Sequence, residues 1–152
     1  MKKYDKYIPL FVLLYVLAVA GSIFNLVQMY TSFNHVVSGI IDGKEVTSME
    51  IRSFKLDQNR EVNITDKQAI ANVMKAFSEV KLRETRASSF DFRVSYWMTI
   101  HLNDDKNFYM TLYDDKYMMI YDPAKTKDKS RSYVIRNEFD VETVERFFQP
   151  HE

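Results

Sequence analysis

The sequence predicts an α+β fold: an N-terminal transmembrane helix, then a small domain whose antiparallel β-meander packs against one main α-helix and a short C-terminal helix. Three observations carry this. Ile8 to Tyr30 contains no charged side chain. Ile70, Val73, Met74, Phe77 and Val80 recur at the three-to-four spacing that puts one apolar stripe on a helix. Arg93 to Asp122 alternates apolar and polar residues in three runs separated by short Asp-rich stretches, as the strands of a meander do. The layout divides the 152 residues into a cytoplasmic tip and anchor (1–30), a stalk or linker (31–45) and an extracytoplasmic α+β domain (46–152).

As a helix, Ile8 to Tyr30 rises roughly 34 Å, enough for a hydrocarbon core of about 30 Å. Pro9 falls in the first turn, where its missing N–H costs least. Lys2, Lys3 and Lys6 precede the run and only Lys44 follows soon after it, which places the N-terminus in the cytoplasm and the rest outside. The lipid bilayer is then the partner of residues 8–30. The same segment also reads as a signal peptide. Ile8 to Leu17 has the length of its apolar region, and Ala18-Val19-Ala20 fits the small-residue cleavage pattern, which would release a secreted chain after Ala20. Continuation of the apolar pattern through Ile23, Phe24, Leu26, Val27 and Met29 favours the uncleaved anchor. Both readings export the remainder.

Beyond the anchor, Thr31 to Ser38 reads as a connecting stalk and Asp42-Gly43 as a turn. Val46 to Leu56 reads as a strand with Met49, Ile51 and Phe54 as its apolar members, Asp57 to Arg60 as a turn, and Glu61 to Ile64 as a short strand. Thr65-Asp66-Lys67-Gln68 is a capping box, with Thr65 capping the first amides and Gln68 reaching back. Asn63-Ile64-Thr65 also spells a glycosylation sequon, discounted because Thr65 has the cap to form. Lys81 to Asp91 is a polar loop. The three runs Arg93 to Asn103, Asn107 to Tyr113 and Tyr117 to Asp122 are strands, Pro123 to Ser130 a second loop, and Arg131 to Arg136 a last strand. Asp140 caps a terminal helix with Val141, Val144, Phe147 and Phe148 along one side, ended by Pro150.

Within the meander, one alternating set is Val94, Tyr96, Met98, Ile100, Leu102, Phe108, Met110, Leu112, Met118 and Ile120. These share a face if Leu102 lies opposite Phe108 and Leu112 opposite Met118. Each Asp-Asp-Lys triplet, 104–106 and 114–116, is then a three-residue loop with its left-handed position at the lysine. Turns at opposite ends of a seven-residue strand stand roughly 20 Å apart. The four aspartates therefore cannot share one metal ion, whose oxygen ligands lie within about 2.6 Å. They read as turn formers, and no metal site is expected.

The other set carries Trp97, Thr99, His101, Tyr109, Thr111, Tyr113, Tyr117, Met119 and Tyr121. A merely solvated face would carry Lys, Glu and Thr. Aromatic residues with polar tips contribute apolar area and a hydrogen bond together, as binding surfaces require. Trp97, Thr99, His101, Tyr109, Tyr113, Tyr117 and Tyr121 are therefore the candidate binding face. The competing reading is that the terminal helix with Phe147 and Phe148, or the stalk, covers this face as a second small core.

Other chemistry is not supplied. Lys+Arg and Asp+Glu both number 21, so no global field draws in nucleic acid. The chain has no cysteine, which excludes thiol catalysis, disulfides and a lipid-modified cysteine. Gly21, Gly39 and Gly43 are the only glycines, so a P-loop, a dinucleotide-binding fingerprint and a GxSxG elbow are excluded. His35, His101 and His151 form neither HExxH nor a triad. No catalytic residue and no cofactor are expected. Two basic clusters, Lys81, Arg83, Arg86 and Arg93 and then Lys125, Lys127, Lys129 and Arg131, read as solvated loops, or as contacts for anionic headgroups or wall polymers.

The stretches MKKYDKYIPLFVLLYVLAVA, EVNITDKQAIANVMKAF, TLYDDKYMMIYDP and VETVERFF resemble the small exported or single-pass membrane-anchored proteins of Gram-positive bacteria that are grouped as domains of unknown function. The resemblance covers most of the chain and implies no catalytic residues. Many such proteins carry a lipid-modified cysteine at the anchor, from which this sequence departs. The expectation is a membrane-anchored, non-enzymatic domain that binds a peptide, a lipid-like ligand or a membrane protein. The alternatives are an accessory structural subunit of a membrane complex and a small hydrolase. An uncleaved anchor keeps the full-length chain in the membrane fraction through a carbonate wash; a mature form beginning at Gly21 in the medium would establish cleavage instead.

Overall fold

The computed structural model describes residues 7–55, 58–87 and 89–149. Two compact units divide between Tyr30 and Thr31. The first holds helix α1, Ile8–Gln28, whose 21 residues rise roughly 31 Å. Pro9 sits at its start, as its lost N–H requires. Ser22 Oγ donates to the Ala18 carbonyl at 2.8 Å, so this hydroxyl is satisfied within the helix itself. The helix is long and apolar enough to cross a membrane, a property that a signal sequence shares.

The second unit is one eight-stranded sheet with helices on a single face. Its strands are β1 (Tyr30–Ser32), β2 (Val46–Lys55), β3 (Gln58–Ile64), β4 (Lys81–Thr85), β5 (Val94–Leu102), β6 (Asn107–Tyr113), β7 (Tyr117–Tyr121) and β8 (Ser130–Ile135). They lie in the order β1-β4-β8-β7-β6-β5-β2-β3. Neighbours from β2 to β8 pair antiparallel. Helices α2 (Phe33–Ile41), α3 (Lys67–Ser78) and α4 (Glu142–Glu145), the last continued by a 3-10 turn at Arg146–Phe148, supply the second layer. The expected apolar set of the meander faces them: from Tyr96 through Ile120 it is buried, and Val94 partly so. Phe77 stacks between Phe33, at 5.4 Å, and Phe139, at 5.0 Å.

Several local expectations change. Residues 31–45 are not a stalk. Ser32 Oγ caps α2 by accepting the His35 N–H at 3.3 Å, and Phe33 and Val37 are buried in the core. Asp42 (φ 45) and Gly43 (φ 75) then end that helix in the left-handed region. Lys81–Thr85 is a strand rather than a loop, because β8 offers it a ladder from Leu82↔Ile135 to Thr85↔Ser132. Gln58, Asn59 and Arg60 belong to β3 rather than to a turn, Lys55 pairing with Gln58; Leu56 and Asp57 lie outside the described residues, as does Pro150.

The α3 cap moves by one residue. Asp66, not Thr65, is the N-cap, its Oδ1 accepting the Ala69 N–H at 2.7 Å, while Gln68 donates to Asn72 instead. Ile64 is held in β3 opposite Met49, and a carboxylate caps at least as well as a hydroxyl. Asp140 is not the cap of α4 either: Val141 is the N-cap, without a side-chain bond, and Asp140 accepts the Glu142 N–H at 3.0 Å from just before it.

The two aspartate turns differ from one another. Leu112 lies opposite Met118 as expected, making Asp114-Asp115-Lys116 the β6–β7 loop. The β5–β6 register is displaced by two residues: Ile100, not Leu102, pairs with Phe108, and Leu102 N–H reaches the Lys106 carbonyl at 2.9 Å. The loop is therefore Asn103-Asp104-Asp105. An even displacement keeps every side chain on its face. Both turns place an aspartate in the left-handed region, Asp105 at φ 60 and Asp114 at φ 49. Asp tolerates that conformation better than Lys does, which explains why neither lysine occupies it.

Replacing Phe77 with Ala should cost about 3–5 kcal/mol, the range for emptying a buried aromatic site. Phe77 has no exposed surface and two stacked neighbours. Denaturant unfolding of the full chain measures it, and a loss below about 1 kcal/mol would contradict this packing.

Candidate functional site

The strand period sends all seven candidate residues to the sheet face opposite the helices. Trp97, Thr99 and His101 come from β5, Tyr109 and Tyr113 from β6, and Tyr117 and Tyr121 from β7. Direct pairs Trp97↔Thr111, Thr99↔Tyr109, Tyr109↔Tyr121 and Tyr113↔Tyr117 tie them into one surface. Neither expected cover lies on this face. Phe148 packs toward Tyr96, and Phe33 and Val37 of the supposed stalk join the core on the other side.

The surface has an open part and a covered part. Trp97 is 53% exposed and Tyr109 40%. Between them a shallow groove of about 150 Å³ runs over Thr111, walled by Glu50 and Arg52 of β2. Phe54 leans on Trp97 at 4.8 Å, and Tyr121 lies 5.8 Å from Tyr109. At the other end the segment leading into β5 lies on the face. Phe90 stacks on Tyr117 at 4.5 Å and lies 5.3 Å from Tyr113, which Phe92 also meets at 4.8 Å. Tyr113 and Tyr117 are thus half-buried under this chain's own phenylalanines. Burial, partly offset by a hydrogen bond with Thr111, raises the Tyr113 hydroxyl above the usual tyrosine pKa.

Charges on the open part are paired among themselves. Arg52 meets Glu61 through two contacts, Nε to Oε2 at 3.0 Å and Nη2 to Oε1 at 3.3 Å. His101 sits between Asn107 Oδ1, 2.9 Å from its Nδ1, and Glu50 Oε1, 3.3 Å from its Nε2. The result is an aromatic surface on which Arg52 is paired with Glu61 and Glu50 lies against His101. Sequence reasoning missed Phe54, Arg52 and Glu50, which β2 contributes. Phe54 was grouped with Met49 and Ile51, yet its even number alone assigns it to the opposite face. Phe90 and Phe92 were missed because no periodicity marks a segment that simply lies down on a sheet.

On the helix side Tyr96 donates to Glu145 at 2.6 Å, beside clefts of about 260 and 380 Å³ that also touch Lys55. Burial, reinforced by the Glu145 carboxylate, pushes the Tyr96 hydroxyl well above the usual tyrosine range. It is a protonated donor that ties the terminal helix to β5, a structural task. Among the described residues no three His, Asp or Glu side chains converge as a metal site would need.

Two of the turn aspartates, Asp104 and Asp114, are occupied by the fold. Asp114 accepts the amides of Arg93 and Val94 at 3.1 and 3.0 Å, fixing the start of β5. Asp104 meets Lys44 Nζ at 3.3 Å and Lys106 Nζ at 3.4 Å, and accepts the Lys106 amide at 3.3 Å. Comparison with protein families, with curated proteins and with solved structures found no match to this chain.

Desolvation raises the Asp104 carboxyl, but its hydrogen bonds with Lys44 and Lys106 outweigh that and hold it below the usual carboxylate range. Its contribution to stability is therefore present above the ordinary aspartate pKa of about 3.9 and is lost as pH falls below it. Carbon-detected NMR should find the Asp104 midpoint below about 3.9, and Lys44→Met should move it upward. An unmoved midpoint would show that Lys44 does not hold this carboxylate.

Proposed function

We propose that this chain is a single-pass membrane-anchored, extracytoplasmic binding domain that engages a polypeptide partner through the open aromatic sheet face and performs no catalysis. One observation carries the reading: α2, α3 and α4 all cover the same side of the sheet, leaving Trp97 and Tyr109 on the other with a groove between them. Exposed Trp and Tyr bring large apolar area at little conformational cost, which is the usual composition of an interface centre. Internal pairing of Arg52 with Glu61 means a partner need not supply compensating charge there. The phenylalanines at the covered end suggest what the open end accepts: Phe90, from an ordinary polypeptide segment, already stacks on Tyr117. The Lys2, Lys3 and Lys6 cluster before α1 supports the orientation with the domain outside.

The test is co-purification of the tagged full chain from native membranes in mild detergent. Trp97→Ala combined with Tyr109→Ala should remove a stoichiometric partner while shifting the melting temperature little, because both side chains are exposed and neither belongs to the core. A partner retained by that variant, but lost when α1 is exchanged for an unrelated apolar helix, would overturn this reading in favour of an accessory membrane subunit.

A further inference from the structure

Chain connectivity decides which end of the sheet lies near a bilayer that holds α1. Only Met29 stands between α1 and β1. Phe33 N–H donates to the Val80 carbonyl at 3.0 Å, so the residues before Phe33 run back alongside those after Val80. β1 is therefore antiparallel to β4, and the chain enters it from the Thr85 end. Tyr30 opens the strand and is 54% exposed. An amphipathic ring directly after an apolar span favours the level of the lipid headgroups.

The same end carries an exposed basic loop. β4 pairs with β8 through Thr85↔Ser132, and β8 with β7 through Tyr121↔Ser130. The connection 122–129 therefore lies at the end where β4 finishes. β8 is the second strand from β1, a separation of roughly 10 Å at about 4.8 Å per strand. Pro123 to Arg131 is exposed throughout and carries Lys125, Lys127, Lys129 and Arg131 against Asp128 alone. Arg86, exposed just beyond β4, adds to them. Lys125 and Arg131 are held only loosely, by Asp122 and Glu84, each at 3.9 Å. Lys127, Lys129 and Arg86 take part in no ion pair among the described residues. Of the other carboxylates at this end, Asp42 and Asp105 lie toward the β5–β6 turn, two or more strands farther from β1.

We propose that the 122–129 connection, with Arg86 and Arg131, rests on the anionic headgroups of the membrane that holds α1. The tether keeps these cations within about one Debye length of that surface, about 8–10 Å at physiological salt, where its potential still attracts them. The inference rests on the retained anchor of the proposed function and deepens that reading. With this end of the strands toward the bilayer, both faces of the sheet look along the membrane. Trp97 and Tyr109 are then offered to a protein held in the same membrane.

The absence of cysteine makes a single-label test direct. Thr126→Cys places a fluorophore in the loop, and Asp115→Cys places one in the turn at the opposite end of the sheet. The full chain would be carried in nanodiscs of phosphatidylglycerol and phosphatidylcholine, or of phosphatidylcholine alone, each doped with a headgroup-nitroxide lipid that quenches on contact. The Thr126 label should be quenched in the anionic discs and the Asp115 label should not. That quenching should be lost in neutral discs. It should also be lost on raising salt from about 0.01 M to about 1 M, which shortens the Debye length from about 30 Å to about 3 Å. Lys125→Gln, Lys127→Gln and Lys129→Gln together should remove it at an unchanged melting temperature. A Thr126 label no more quenched than the Asp115 label overturns the proposal, as does quenching that survives both neutral lipid and high salt. A label that ignores the discs yet responds to dextran sulfate would instead assign the loop to a soluble wall-type polyanion and overturn the proposal too. A chain that elutes free of the discs would overturn the anchor and this proposal together, whereas a disc-borne chain with an unquenched Thr126 label overturns this proposal alone.

Discussion

Phe77 stands between Phe33 and Phe139, and the three rings join three separate parts of the chain. Phe33 opens the helix after the apolar span, Phe77 comes from the amphipathic α3, and Phe139 follows the last strand. Each arrives from the same side of the sheet. Burying a large aromatic ring is among the strongest local gains in a core this small, so this contact draws α2, α3 and the terminal segment onto one face. The terminal segment is further held there by Tyr96 and Glu145, and by Arg60 Nη1 donating to the Phe148 carbonyl at 2.7 Å. A one-sided sheet is the consequence, and from it follows the exposure of the other side.

That consequence sorts the aspartates from the aromatics. Turns at the ends of β6 belong to neither face, and the Asp104 and Asp114 carboxylates are taken up by lysines and amides that hold loops in place. Asp114 anchors the chain entering β5, and with it the segment that lays Phe90 and Phe92 over Tyr113. The turn therefore influences the face without being part of it: it decides where the covered end stops. Trp97 and Tyr109 lie beyond that limit, which is why the groove between them is open.

The meander was legible because strand alternation over Arg93–Asp122 admits only one way of sharing a face, and an error of two residues in one register left all the face assignments intact. Helix α3 was legible from its stripe, although its cap was misplaced by one position. What escaped was local structure specified by distant partners. β4 offers a single strongly apolar residue, Leu82, and becomes a strand because neighbouring strands, β8 above all, supply its hydrogen bonds. Helix α2 is a different case. Phe33, Val36, Val37, Ile40 and Ile41 have clear helical spacing, with Ser32 before and Asp42-Gly43 after, but the adjoining apolar span masks the signal. For the candidate face, the meander's share was readable and β2's was not, since pairing β2 beside β5 is a matter of topology.

The sheet's edges bear on how the open face can be used. β1 is three residues long, too short to template much pairing, whereas β3 presents seven. An edge of that length invites a further strand unless its side chains resist it. Two copies pairing antiparallel about the central residue of β3 would set Glu61 directly against Glu61, with Arg60 beside the junction on each strand, and like charges so placed are destabilising. Both are already spoken for, Glu61 by Arg52 and Arg60 by the Phe148 carbonyl, so re-pairing them across such a junction would break existing contacts. Association through the backbone edge is thereby disfavoured, while the aromatic face has no comparable charge barrier. A partner of the kind proposed would therefore meet less resistance over Trp97 and Tyr109 than alongside β3, and would leave the phenylalanine core on the far side undisturbed.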